Sequence, residues 1–169
     1  MRNIVVFCLV LMLAGLSFSV NVSSCQVLNV SNTNYTLNTS LSNGSIAVSP
    51  SWSTCLLVAA ANVTLDCRGF GITGTNLVNT SAIALNDSAT NVTVKNCVAS
   101  SYDAALYANL SNINTYGTFD NNNVSGNVNG FYFVQSNYNK FSNNRIYNNT
   151  ADGLYLSPAN SNITNNQMY

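Results

Sequence analysis

Three segments of one pattern decide the fold of this chain: FDNNNV at 119–124, FSNNRI at 141–146 and ITNNQM at 163–168. They follow one another at an interval of 22 residues and share the pattern apolar–polar–Asn–Asn–x–apolar. More divergent copies precede them, VKNCVA at 94–99 and LDCRGF at 65–70. A repeat of this length indicates an architecture in which one short unit stacks on the next.

A second pattern lies between these copies and alternates in the way of a β-strand. Its clearest members are NGFYFV at 129–134 and DGLYLS at 152–157, and aligned with them position by position are DAALYA at 103–108 and the weaker SAIALN at 81–86. The alternation places Phe131 and Phe133 on one face, while Asn, Asp, Gly and Ser mark the turns. Each repeat therefore holds two or three short strands, and no helical period follows residue 20.

Stacked repeats bury the apolar side that a single repeat cannot, with each strand pairing to its equivalent about 4.8 Å above. The sequence thus predicts an all-β parallel solenoid. An Asn-rich disordered tract is the alternative, and the regular apolar positions and the many aromatic residues after residue 100 argue against it. The predicted interior residues are Val63, Leu65, Val92, Val94, Phe119, Phe141 and Ile163.

One repeat position is held by asparagine in three successive copies. Asn122, Asn144 and Asn166 are predicted to form an inward ladder at a turn, because each amide can donate to one neighbour and accept from the other. The adjacent Asn123 is expected to point outward.

The polarity of the chain comes from amides and hydroxyls more than from charge. Of 169 residues 31 are Asn, only 6% are charged, none is His, and all five acids are Asp. Without His there is no His-activated nucleophile and no imidazole metal ligand, and a net charge of zero gives no electrostatic footprint for nucleic acid. Stacking explains the deficit, since like charges at equivalent positions would lie a few ångströms apart.

The N-terminus has the pattern of an export signal. Arg2 precedes an apolar run at 4–18 and small residues follow, which predicts a secretory signal peptide over 1–20. The run is shorter than the ~20 residues of a spanning helix, and an uncleaved membrane anchor is the alternative. We expect an N-terminal capping segment over 21–60 and β-helix coils over 61–169, where the chain stops within a repeat and is expected to be truncated.

Cysteines and sequons agree with a secreted or cell-surface location. Cys8 lies within the predicted signal peptide, and the four remaining cysteines form no C-x-x-C motif, which favours disulfides and leaves three pairings open. These four are Cys25, Cys55, Cys67 and Cys97. Asn-x-Ser/Thr occurs 13 times, about twice the number that composition predicts. Either the protein is a glycoprotein or the motif belongs to the strand edges of the fold. The candidate glycosylation sites are Asn34, Asn38, Asn62, Asn79, Asn86, Asn91, Asn109, Asn123 and Asn148.

These repeats resemble the right-handed parallel β-helix group, the pectin-lyase-like superfold with its NosD-like repeats. The N-x-I-x-N-N-x-I unit of that group is similar to SNITNNQM at 161–168, and its D/N-G-I/L-Y-L unit is similar to DGLYL at 152–156. The resemblance covers about residues 25–169 and implies about four to five coils of 22–29 residues with an N-terminal cap. On that coil alignment Cys67 and Cys97 are vertical neighbours, which leaves Cys25 to pair with Cys55.

The superfold also hosts polysaccharide lyases and hydrolases, and such chemistry needs clustered carboxylates. Here the acids are spread along the chain, and the aligned repeats place Asp66, Lys95 and Asp120 in one outward column. We interpret this column as an alternating charge ladder instead of a lyase-like site, and we predict no catalytic residue, no metal and no cofactor. NosD-like repeats would imply copper handling, but soft ligands are missing, since His is absent and the cysteines are expected to pair.

Tyr132 and Tyr155 share an outward repeat position, where two rings one coil apart can hold sugar rings or can simply stabilise the solenoid. The sequence therefore predicts an exported, non-enzymatic β-helix that acts as a structural or adhesive module. The alternative is a carbohydrate-binding or degenerate carbohydrate-active domain. Expected partners are surface glycans or other surface proteins, with no nucleic acid, and with membrane contact only through an uncleaved anchor.

Overall fold

The computed structural model describes residues 18–49, 51–110, 115–157 and 160–169. These residues form strands and no helix, so none of them belongs to a helix long and apolar enough to cross a membrane. In chain order the strands are β1 (Phe18–Val22), β2 (Gln26–Leu28), β3 (Thr33–Leu37), β4 (Leu41–Ser42), β5 (Ile46–Ser49), β6 (Trp52–Val58), β7 (Thr64–Asp66), β8 (Gly71–Thr73), β9 (Thr80–Leu85), β10 (Thr93–Lys95), β11 (Val98–Ser100), β12 (Ala104–Asn109), β13 (Thr118–Asp120), β14 (Asn123–Ser125), β15 (Asn129–Val134), β16 (Lys140–Ser142), β17 (Arg145–Tyr147), β18 (Leu154–Ser157), β19 (Asn162–Thr164) and β20 (Gln167–Met168).

The strands stack into three parallel sheets. The first sheet has the order β1-β3-β7-β10-β13-β16-β19, the second β4-β8-β11-β14-β17-β20, and the third β2-β6-β9-β12-β15-β18. Among the described strands only β5 departs from this scheme, because it pairs antiparallel with β6 in a hairpin. From β7 onward successive strands visit the three sheets in turn, so the predicted all-β parallel solenoid is confirmed.

In the three-residue strands of the first and second sheets the middle residue points into the solenoid, as a period of two requires. Phe119 is the Cα partner of Phe141, and Phe141 is the partner of Ile163. Ile163 differs from the other predicted interior residues in being 47% exposed, because β19 is the last strand of the first sheet. The buried ones are Val63, Leu65, Val92, Val94, Phe119 and Phe141.

Four phenylalanines join the first and third sheets across the interior. Phe119 stacks on Phe141 with ring centroids 5.0 Å apart and meets Phe133 edge-on at 4.8 Å. Phe131 meets Phe141 edge-on at 5.5 Å, and all four rings are fully buried. Stacked and edge-on contacts contribute beyond the burial of apolar area, so these rings fix how the two sheets face each other.

The position-by-position alignment of DAALYA at 103–108 is wrong by one residue. The structure pairs Ala104 with Asn129 and Tyr107 with Tyr132, whereas the alignment set Asp103 opposite Asn129. SAIALN at 81–86 keeps its predicted alignment with NGFYFV, since Ser81 pairs with Ala104 and Ala104 pairs with Asn129, so only DAALYA is displaced. The physical reason is that Asp103 belongs to the turn before β12, where its carboxylate accepts the backbone N–H of Asn79 at 2.7 Å.

The coils begin before the boundary at residue 61 that the sequence suggested. Within the predicted capping segment over 21–60, strands β3, β4 and β6 pair with β7, β8 and β9 and so extend all three sheets. This segment differs from later coils in the β5–β6 hairpin. The predicted signal peptide over 1–20 lies outside the described residues except for its last three, which begin β1.

Two disulfides, Cys25–Cys55 and Cys67–Cys97, connect neighbouring coils. Their Cα–Cα distances of 4.6 and 4.7 Å are close to one strand spacing. Each bond spans 30 residues, and closing a loop of that length restricts the unfolded chain by about 3–4 kcal/mol. The pairing that the resemblance implied is therefore the one present.

Candidate functional site

Asn122, Asn144 and Asn166 form a continuous ladder at the turn between the first and second sheets. The Nδ2 of Asn122 donates to the Oδ1 of Asn144 at 3.0 Å, and the Nδ2 of Asn144 donates to the Oδ1 of Asn166 at 2.9 Å. The backbone N–H of Cys97 donates to the Oδ1 of Asn122 and so continues the column one coil earlier. Because Asn122 and Asn144 are 1% exposed, the ladder satisfies backbone groups that water does not reach.

Two more buried polar groups were missed from the sequence because their repeat positions are not all asparagine. The Nδ2 of Asn127 donates to the Oδ1 of Asn149 at 3.1 Å, and the Oδ1 of Asn127 accepts the backbone N–H of Tyr102. At the turn between the third and first sheets, the Oδ1 of Asn139 accepts a hydrogen bond from the hydroxyl of Thr115 at 2.7 Å. Asn127 and Asn149 are one repeat of 22 residues apart, so extending the repeat alignment beyond the Asn-Asn pair would have identified them.

The candidate glycosylation sites occupy two kinds of position. Asn62, Asn79, Asn91 and Asn148 have positive φ and sit at turns, and all four are exposed. The Nδ2 of Asn62 donates to Asn32 at 3.0 Å, and that of Asn91 donates to Asn62 at 2.9 Å, so the nitrogens that a glycan would modify already hold a surface ladder. The other exposed candidates are Asn34, Asn38 and Asn109, and Asn86 is half-buried.

Asn123 precedes the buried Val124 in β14 and therefore lies on the outward face, but its neighbours cover part of it. It is half-buried between its Cα partners Val98 and Arg145 in the second sheet, and its Oδ1 is covered and has no hydrogen-bond partner among the described residues. A glycan at this position would have to displace its neighbours.

The outward column of Asp66, Lys95 and Asp120 has the predicted register, with Lys95 opposite both carboxylates. The Nζ of Lys95 lies 3.6 Å from the Oδ2 of Asp66. Since the two side chains are 39% and 27% exposed, this ion pair is worth about 0–1 kcal/mol. Asp120 instead accepts hydrogen bonds from Ser142 Oγ at 2.7 Å and Asn143 Nδ2 at 2.8 Å. Both carboxylates therefore hold neighbouring coils together.

These bonds decide the ionisation of the two carboxyls. Burial by itself raises the pKa of Asp66, but hydrogen bonds from the Asn96 amide and the Arg68 backbone N–H, together with the charge of Lys95, outweigh it and leave this pKa below its ordinary value. The hydrogen bond from Ser142 is the main reason that the pKa of Asp120 is lowered as well. Both groups are thus stabilised as anions and are poorly suited to act as general acids near neutral pH.

Tyr132 and Tyr155 belong to a longer aromatic column on the outer face of the third sheet. Their rings stack with centroids 4.8 Å apart, Tyr107 follows at 6.0 Å from Tyr132, and the indole of Trp52 stacks on Tyr107 at 3.9 Å. Burial raises the pKa of Tyr132, and its tyrosine neighbours and the charges of two nearby aspartates add to this. Because neighbouring rings cover one another, the column favours the stabilising role over sugar binding at Tyr132 and Tyr155.

Tyr107 and Trp52 are the members of the column that sequence reasoning missed. The one-residue error in aligning β12 removed Tyr107 from the outward position, and Trp52 lies on the β5–β6 hairpin, outside the repeat. The hairpin covers the outer face of the third sheet, where Ile46 and Val48 pack with Trp52 against a small cluster that contains Leu57, Ala84, Ala104 and Tyr107.

Comparison with known proteins identifies one family. The model of the family described as periplasmic copper-binding protein (NosD) matches residues 18–169. No curated protein and no solved structure matches the chain.

The side chains present do not fit copper. Soft or imidazole ligands are what copper sites use, and this sequence has no His. All four cysteines of the described residues are in disulfides, and Met168 is the methionine among them. No group of three or more His, Cys, Asp or Glu side chains in the described part of the chain could hold a metal ion. The described side chains therefore offer copper no suitable set of ligands.

Replacing Asn144 by alanine is expected to lower the free energy of unfolding by about 3 kcal/mol. The change removes the acceptor of the buried backbone N–H of Asn122 and one donor to the carbonyl of Phe119, and an unsatisfied buried group costs about 1–3 kcal/mol. Denaturant unfolding followed by circular dichroism measures the loss. The matched control is Asn34→Ala, an exposed strand asparagine, which should change stability by less than about 0.5 kcal/mol. Equal effects of the two substitutions would contradict a buried ladder.

Stability is expected to be level near neutral pH and to fall in acid. Asp66 and Asp120 have lowered pKa values in the folded protein, so their contribution is present above the unfolded value of about 3.9 and is lost as pH falls through the folded value. Denaturation midpoints across this range measure the decline. Asp120→Asn should make the decline shallower, while the control Asp152→Asn, at an exposed turn position, should not. A decline that Asp120→Asn leaves unchanged would rule out this origin.

Proposed function

The chain belongs to the NosD family, and from this premise we propose that it serves as a rigid structural or adhesive module at the cell surface and catalyses no reaction. The family is periplasmic and the two disulfides agree with an oxidising compartment, so the protein is an extracytoplasmic parallel β-helix. We infer the structural or adhesive role from the hydrogen bonds that the polar side chains make with one another.

One observation carries the proposal: the polar side chains of the coils are committed to one another. The interior ladder satisfies backbone groups from coil to coil, and surface amides such as Asn121 and Asn143 bond to their neighbours in the adjacent coil. Such a network gives a stiff rod and leaves few groups poised for chemistry. Rigidity with a repetitive neutral surface suits a structural or adhesive role.

The distribution of acids supports a non-enzymatic role. Asp66, Asp103 and Asp120 each accept hydrogen bonds from residues one coil away. A glycosidase needs one protonated and one ionised carboxyl on either side of a bond, and the lowered pKa values of Asp66 and Asp120 work against a protonated partner.

An adhesive module should attach beads to cells. Fluorescent beads coated with the oxidised chain are expected to be retained on a layer of cells of the source organism, in numbers that rise with the coating density. Retention should persist at high salt, because only 6% of residues are charged and salt screens mainly charge–charge attraction. The control is the same chain reduced and unfolded before coating. Retention equal to that of albumin-coated beads would contradict the adhesive role.

The oxidised chain is also expected to take up no copper. In a competition with the Cu(I) chelator bicinchoninate, the folded protein should leave the coloured complex intact, because the four cysteines of the described residues are paired and the sequence has no His. The reduced chain is the positive control, since reduction frees four thiols. One equivalent of Cu(I) held with both disulfides intact would show that this chain shares the copper-binding property of its family's name.

A further inference from the structure

The β5–β6 hairpin forms one wall of a surface groove. The groove has a volume of about 320 Å³, and Val78 and Asn79, which precede β9, also line it. Trp52 and a set of serines that includes Ser51 and Ser53 line the hairpin side. Its size lies at the lower end of the range of about 300–1,000 Å³ that is usual for small-ligand sites.

Trp52 is held in place before any ligand arrives. Tyr107 stacks on its ring at 3.9 Å with planes 12° apart, and the indole Nε1–H donates to Ser81 Oγ at 3.2 Å. Because the polar edge of the indole is already satisfied, the ring offers the groove apolar surface. A side chain fixed in this way loses little freedom on binding, which lowers the cost of association.

The chemistry of the lining selects the ligand class. The polar lining consists of serine hydroxyls and the Asn79 amide, which both donate and accept hydrogen bonds, and no charged side chain lines the groove. A pyranose ring presents hydroxyls at its edge and apolar C–H groups on its faces, which complement these hydroxyls and the Trp52 ring. An anionic ligand would bring a charge that nothing in the lining neutralises.

A second depression extends the groove along the hairpin. It has a volume of about 190 Å³ and is lined by Tyr107, Asn86 and Asp87 among others, and Ser49 lines both depressions. The two depressions adjoin at Ser49, and the Trp52 and Tyr107 rings that line them are stacked on each other. Two adjoining depressions accommodate a ligand of more than one sugar unit.

We infer that the groove beside Trp52 binds a neutral oligosaccharide, with the indole as the apolar platform and the serines and Asn79 as hydrogen-bond partners. The site is separate from Tyr132 and Tyr155, because Trp52 lies at the opposite end of the stacked column from Tyr155. The inference goes beyond the structural or adhesive role, since the groove can bind sugar whether or not the protein attaches to cells.

The protein supplies its own probe, because Trp52 is its single tryptophan. The oxidised chain is titrated with cellohexaose, chitohexaose and mannohexaose while tryptophan emission is recorded, with hexagalacturonate as the anionic comparison. At least one neutral hexasaccharide should give a saturable change in emission, and hexagalacturonate should give none. The inference is overturned if none of the three neutral sugars gives a saturable change, or if hexagalacturonate binds as tightly as the best of them.

Two exposed valines give a matched pair of variants for locating the site. Val78 is 78% exposed on the groove wall, and Val30 is 56% exposed and does not line the groove. Val78→Asp should weaken binding of the active hexasaccharide about tenfold, roughly 1.4 kcal/mol, while Val30→Asp should leave it unchanged; neither substitution touches the core. Equal loss in both variants would overturn the inference, and so would loss in Tyr155→Ala without loss in Val78→Asp.

Discussion

Each residue of a coil lies one strand spacing, about 4.8 Å, from the residue at the same position of the next coil. This vertical repeat limits which side chains the chain can use. A charge repeated in register would repel its neighbours, whereas an asparagine amide is both donor and acceptor and bonds to its own kind. The ladder of Asn122, Asn144 and Asn166 is the buried form of this solution, and the pairing of Asn32, Asn62 and Asn91 is its exposed form. Where charges do occur they alternate, as in Asp66, Lys95 and Asp120.

The same repeat explains why the sequence predicted the interior so well and the outer face less well. Phe119, Phe141 and Ile163 stand at fixed intervals, and one residue pattern is enough to place them. The strand that contains Tyr107 begins one residue later than its pattern suggests, and in a strand a shift of one residue moves a side chain to the opposite face. The aromatic column was therefore seen only at Tyr132 and Tyr155. Trp52 could not be predicted, because the hairpin that carries it has no counterpart in the other coils.

The excess of glycosylation sequons follows in part from the geometry of the coils. In Asn62-Val63-Thr64 and Asn91-Val92-Thr93 the asparagine has positive φ at the turn, the valine is buried, and the threonine begins a strand of the first sheet. Asparagine tolerates the left-handed region better than most residues, and threonine is favoured in strands. Turn, interior and strand edge thus generate Asn-x-Thr without any selection for a glycan. Exposed strand asparagines such as Asn34 and Asn109 do not share this explanation.

In a regular solenoid of this kind, most polar and aromatic groups that could bind a ligand already contact the neighbouring coil. Its amides bond to amides above and below, its carboxylates accept bonds from the next coil, and its stacked rings cover one another. Where the repeat is interrupted, a residue has no counterpart in the next coil to which it can bond. The β5–β6 hairpin is such an interruption, and beside it an aromatic ring and several hydroxyls meet in one groove. Recognition on a β-helix is therefore to be sought at its irregular coils, while the regular coils supply the rigidity that keeps such a groove in shape.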